Sequence, residues 1–200
     1  MRLAALLATA VLVVGCSHTV TGRPEADLTS TPTPPATPST STSAAQPTGT
    51  DPADPPAAGA EVTAVIAWVE VGRRVDAATF HHADRDAVTT DLGDDIAFTS
   101  GSTRCMTDQR YAENTLICLV DLTDPPPKPE TGYGEWKGGW VQFDGASAQV
   151  GSFHGDPGPF LRGDGPELPD GQTLAFGDYR CRPHRGELFC VDYAHQSAVR

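Results

Sequence analysis

The chain has 200 residues, 26 of them acidic against 14 basic, for a formal net charge of −12. That balance argues against binding a nucleic-acid backbone, which needs a basic face to release counterions, and against polybasic attraction to anionic headgroups. Gly and Pro supply 20 and 18 residues, so turns and extended segments are expected to be frequent. Five cysteines leave one to be explained apart from the others.

Arg2 is a positive n-region, and Leu3 to Val14 is an uncharged apolar run. Twelve helical residues reach about 18 Å, short of a hydrocarbon core of roughly 30 Å, so residues 1–15 read as a cleaved signal peptide. The run ends in Val13-Val14-Gly15-Cys16, which resembles the bacterial lipobox. That resemblance implies a diacylglyceryl thioether on Cys16, cleavage before it and acylation of the new amino terminus, palmitate-type chains included. Two or three chains at about 0.8 kcal/mol per buried CH₂ make a stable anchor. The expected location is therefore the extracytoplasmic face of the cell membrane, with the membrane itself as a partner.

Residues 16–60 read as a disordered linker behind that anchor. From Thr29 to Ala58 there are 8 Thr, 8 Pro, 6 Ala and 4 Ser, and no Val, Ile, Leu, Met, Phe, Trp, Tyr or Cys. Such a segment cannot bury enough apolar surface to offset the entropy of ordering. Spaced prolines stiffen it toward polyproline II. Its Thr/Pro content also suits O-glycosylation, and the sequence leaves modified and bare linkers open.

Residues 61–200 read as one mainly β, disulfide-stapled domain with long irregular loops. Apolar runs bounded by Gly, Pro, Asp and Ser predict strands around Ile96–Thr99, Leu116–Leu122, Gly139–Asp144, Ser147–Gly151, Leu174–Arg182 and Leu188–Tyr193. Val62–Val71 is ambiguous; its β-branched residues and the break at Gly72 lean toward a strand. Trp140, Gln142 and Asp144 alternate with Val141 and Phe143, which puts Trp140 on a solvent face.

The other four cysteines sit in a repeated pattern. Ala97-Phe98, Arg104-Cys105 and Leu116-Ile117-Cys118-Leu119 are echoed by Ala175-Phe176, Arg180-Cys181 and Leu188-Phe189-Cys190-Val191. Each unit reads as a hairpin with a disulfide across its strands. Of the three connectivities open to four cysteines, the pattern favours Cys105–Cys118 with Cys181–Cys190. Export makes oxidation plausible, and the separations are too long for the paired ligands of structural zinc.

Phe98-Thr99-Ser100-Gly101-Ser102 leading to Cys105, and Leu168-Pro169-Asp170-Gly171-Gln172-Thr173-Leu174 leading to Cys181 and Cys190, resemble the paired-Cys hairpins of secreted actinobacterial proteins. With lipobox and Thr/Pro tether, the whole chain is similar to the mycobacterial Lpp/Lpq envelope lipoproteins. The first hairpin departs from that pattern in lacking its Pro, Asn and Ile. The resemblance implies localisation and disulfides and carries no catalytic residues.

Several clusters could carry chemistry. His81-His82-Ala83-Asp84-Arg85-Asp86 has metal-type donors but neither the i, i+4 His pair nor a calcium loop, so it reads as a solvated polar segment. Asp91-Leu92-Gly93-Asp94-Asp95 reads as a solvated turn. Ser152-Phe153-His154-Gly155-Asp156 puts Ser, His and Asp side by side, although a nucleophilic triad requires convergence in space; a surface loop is the default. Pro125-Pro126-Pro127-Lys128-Pro129 reads as a stiff loop, and His195 as structural. Tyr133, Trp136 and Trp140 among glycines form the candidate binding platform. The sequence thus names no catalytic residue, metal or cofactor. It favours a non-catalytic module for an envelope protein, glycan or lipid, with an exported wall-modifying hydrolase or a transporter accessory as alternatives. Two lobes of ~100 residues each, as in hinged solute-binding proteins, do not fit.

Overall fold

The computed structural model describes residues 54–155 and 158–200. The expected signal peptide, Cys16, most of the expected linker, Asp156 and Pro157 lie outside the described residues. Among the described residues no helix is long and apolar enough to cross a membrane.

Strands β4 (Ala97–Ser100), β5 (Thr103–Asp108), β6 (Ala112–Leu119), β7 (Glu135–Phe143) and β8 (Ala148–His154) follow one another as an antiparallel meander. A second meander runs through β9 (Gln172–Phe176), β10 (Tyr179–His184), β11 (Glu187–Asp192) and β12 (Ser197–Val199), with β1 (Arg73–Arg74) added in parallel to β9. The expected Leu174–Arg182 strand is two strands, because Gly177 and Asp178 turn the chain between Phe176 and Tyr179. Arg185 and Gly186, both at positive φ, close the two-residue β10–β11 hairpin in the way that matches right-handed strand twist.

The sheets pack face to face. Phe98, Cys105, Leu116, Cys118 and Phe143 of one meet Leu174, Tyr179, Cys181 and Cys190 of the other in a single buried cluster. Both disulfides are formed as the repeat favoured, Cys105–Cys118 and Cys181–Cys190, each between directly opposed residues of adjacent strands. Tyr179 stitches the layers together: its hydroxyl donates to the carbonyls of Asn114 (2.7 Å) and Phe143 (3.0 Å). Burial, helped by the carboxylates of Asp192 and Asp144, pushes that phenol up to about 12.

Each sheet has part of its outer face covered. Val62–Glu70 is helix α1, against the strand leaning of its β-branched residues. Val62, Val65, Ile66 and Val69 recur at helical spacing, and Trp68 and Val69 bury against Phe189 and Val191 of β11, so packing decides the conformation. Beneath α1 the buried Arg182 donates to the Trp68 carbonyl and lies 4.0 Å over its ring. On the opposite side, a hairpin of β2 (His82–Arg85) and β3 (Val88–Asp91) and a 3₁₀ turn, Gly158–Arg162, cover β4–β7 through Ala83, Leu92 and Phe160. The segment after that turn zips hairpin to sheet, bonding Asp84 through Asp164 and Thr99 through Pro166 and Leu168.

Candidate ligand cleft

The aromatic platform is not assembled. Tyr133 is 92% exposed, but Trp140 is 2% exposed, which overturns its placement on a solvent face. The alternation was real; the face is covered, with Phe160 edge-on to the Trp140 ring and His154 against it at 3.6 Å. Trp136 is half-buried, packs on Phe153 at 5.1 Å and donates from Nε1 to the Pro126 carbonyl. His154 and Phe153 are neighbours on β8 and point to opposite faces, so Trp136 and Trp140 part company as well. A register shift between Lys137 and Val141 causes the separation. Gly139 occupies it because a Cβ there would meet the Val120 carbonyl oxygen at 2.1 Å. The polyproline loop is thus a stiff packing partner for Trp136.

The other sequence candidates resolve into structural roles. His81 precedes β2 and His82 opens it; His81 Nδ1 lies 2.9 Å from the Asp95 carbonyl and His82 stands 4.0 Å from Asp84. Among the described residues no group of three His, Cys, Asp or Glu is placed to hold a metal ion. Ser152 and His154 lie on β8, with Asp156 outside the described residues. His195 belongs to the β11–β12 turn, its Nδ1 2.9 Å from the buried Asp192 carboxylate, which also accepts the His195 N–H.

Asp95, expected in a solvated turn, is instead buried. It accepts from Thr107 Oγ1 (3.1 Å), the Gln109 N–H (2.9 Å) and Arg162 Nη1 (3.2 Å). Arg162 Nη2 reaches the buried Asp108 at 3.3 Å. This fork fastens the Gly158–Arg162 turn over Trp140. Beside it opens a hollow of about 870 Å³ of mixed lining, with Arg110, Tyr111, Gln142 and His154 beside Ile117 and Leu161 in its wall. Its two buried carboxylates are already engaged by the guanidinium.

The cleft with the character of a ligand site lies elsewhere, between the sheets. It measures about 600 Å³ and opens where β7–β8 diverges from β11–β12. Leu116, Val141, Phe143 and Val150 line one wall, Leu188 and Val199 the other, and Cys118 and Cys190 bring one half of each disulfide to the lining. Val120 and Leu122 extend the apolar surface along the chain leaving β6. Val120, Val141, Leu188 and Val199 are half-buried against the main core rather than sealed within it. The ionisable lining groups are Asp121, Glu187 and Arg200. Arg200 Nε donates to Glu187 Oε1 at 2.9 Å, and Nη2 meets the same oxygen. An apolar cavity of this size with a few polar groups is the usual form of a small-molecule site.

Apart from Cys118 and Cys190, named for their disulfides, no residue of this cleft was named as a site residue in the sequence. Strands β6, β7, β8 and β11 had been marked and β12 had not, and which of them face one another across the sandwich is not a local property. The comparisons add no name: no family model matches the chain, and no curated protein and no solved structure matches it.

Proposed function

We propose that this chain is an exported lipoprotein of the cell envelope, similar to the Lpp/Lpq type, that acts as a non-catalytic binding module. In this reading Cys16 holds it to the outer face of the membrane, the Thr/Pro-rich linker sets the domain away from the surface, and the cleft between the sheets receives an apolar ligand. The observation that carries the binding role is the cleft: a half-buried apolar lining drawn from both sheets. Among the described residues its one lining cation, Arg200, is ion-paired. Binding needs little more than this, whereas catalysis requires a positioned nucleophile or acid–base pair.

The test titrates full-length chain carrying Cys16→Ser with an environment-sensitive apolar dye. Saturable binding with one site per chain is expected, lost in Val150→Glu, which puts a charge at a 42% exposed position of the wall. Absence of saturable binding, or indifference to Val150→Glu, overturns the cleft reading. The anchor has its own check: the wild-type chain should partition into detergent with acyl mass on Cys16, and Cys16→Ala should be neither acylated nor cleaved.

A further inference from the structure

We infer that the cleft takes the hydrocarbon chain of an uncharged lipid, one whose head offers hydroxyl or ester groups, and that it disfavours lipids with phosphate or carboxylate heads. This rests on the binding reading above and adds the chemistry of the head. The apolar part follows from the walls: Val141, Phe143, Leu188 and Val199 face the space with side chains that offer dispersion contacts and no hydrogen bonds. The space is continuous with the core, so a chain entering it replaces water against surfaces that are already half-dry.

The head is decided by the rim. A phosphate or carboxylate is ordinarily recognised by a free guanidinium, an ammonium or a row of backbone N–H groups. Among the described residues the one cation lining this cleft, Arg200, is engaged by Glu187 through Nε and Nη2. Asp121 adds a second carboxylate without adding a cation, so the rim carries one negative charge in excess. The chain's net charge of −12 acts in the same direction at longer range. Thr103 and Thr123 supply hydroxyls at the same lining, which suit a head that both donates and accepts.

The experiment uses the full-length Cys16→Ser chain, so that no attached acyl group competes. It compares 1-monoacylglycerols with lysophosphatidic acids of matched chains from eight to fourteen carbons, below their aggregation concentrations, as displacers of the apolar dye. Monoacylglycerol affinity should rise about fourfold per CH₂, the increment for burying one methylene, and level off once the cleft is full. At equal chain length lysophosphatidic acid should bind at least tenfold more weakly. Asp121→Asn with Glu187→Gln removes both rim carboxylates and frees Arg200. That pair should raise lysophosphatidic acid binding about tenfold and leave monoacylglycerol within twofold. Equal affinity for the two heads, or preference for the phosphate, overturns the inference on the head while leaving the apolar cleft standing. Binding of both without chain-length dependence overturns the cleft as the seat of the chain, as does unchanged binding in Val150→Glu. If the dye binds saturably and no monoacylglycerol displaces it, the uncharged lipid is overturned as ligand and the apolar site is retained.

Discussion

The β4–β8 and β9–β12 sheets are two statements of one pattern, and they differ in what covers them. Both turn a disulfide into the shared interior, and β5–β6 and β10–β11 carry it between directly opposed cysteines. Outside, the β9–β12 sheet lies beneath a helix, with buried Arg182 against the Trp68 ring. The β4–β8 sheet lies beneath a hairpin and a 3₁₀ turn, with Trp140 under Phe160 and Arg162 forked between Asp95 and Asp108. Each outer face buries a tryptophan, and each uses an arginine to satisfy polar groups that burial would leave costly. The difference teaches that strand grammar fixes the inner face, where the repeat is alike. The outer faces are set by whichever segment the chain lays across them.

Emptying one outer face should have the largest effect. Trp140→Ala removes a ring held by Phe160 and His154 and should destabilise the domain by about 3–5 kcal/mol, read by chemical denaturation. A solvent-facing ring would have cost little, so an unchanged midpoint would return Trp140 to the surface. The disulfides should prove nearly equivalent. Their sequence separations are 13 and 9, for which loop-closure entropy gives about 3 kcal/mol each. Replacing either pair by alanine should therefore lower stability by similar amounts; a large inequality would break the equivalence of the halves. Arg162→Ala should cost about 2 kcal/mol, because Asp95 and Asp108 stay buried with one bonding partner fewer. Adding Asp108→Asn should recover part of that loss, which a purely steric role for Arg162 would not allow.

Local features of the sequence were legible because their causes are local. The disulfide pairs lie within single hairpins, so residue spacing and turn chemistry sufficed. The repeat itself needs one adjustment: Leu174, not Phe176, lies opposite Cys181 as Phe98 lies opposite Cys105. The shift is two residues, so the face is kept. Helix α1 was not read from the sequence: the length of Val62–Val71 permits a helix, but its β-branched content pointed the other way, and only β11 supplies the surface on which Trp68 and Val69 pack. Strand β2 buries only Ala83 among polar neighbours, a pattern that reads as a solvated segment. Trp140, Asp95 and the cleft depend on partners far along the chain: Arg162 lies 67 residues from Asp95. No window of sequence contains those contacts.

The smallest expected effect probes the joint between the two sheets. Tyr179→Phe deletes a hydroxyl that donates to two backbone carbonyls and should cost on the order of 1–2 kcal/mol at neutral pH. Alkaline pH should then narrow the gap between wild type and Tyr179→Phe. The Tyr179 phenol is raised from 10.0 to about 12 by burial and nearby carboxylates, so the folded state holds its proton where the unfolded state has released it. The stabilisation is complete below pH 10 and is lost as pH rises toward 12, by an amount on the order of 2 kcal/mol. Other groups titrate in that range in both proteins, so the informative quantity is the difference between wild type and Tyr179→Phe at each pH. That difference should be constant from pH 7 to about 9 and shrink steadily above 10. A difference that stays flat to pH 12 would mean that the phenol ionises as freely in the sandwich as in the unfolded chain, and that the two sheets meet there through solvent rather than through a sealed hydrogen bond.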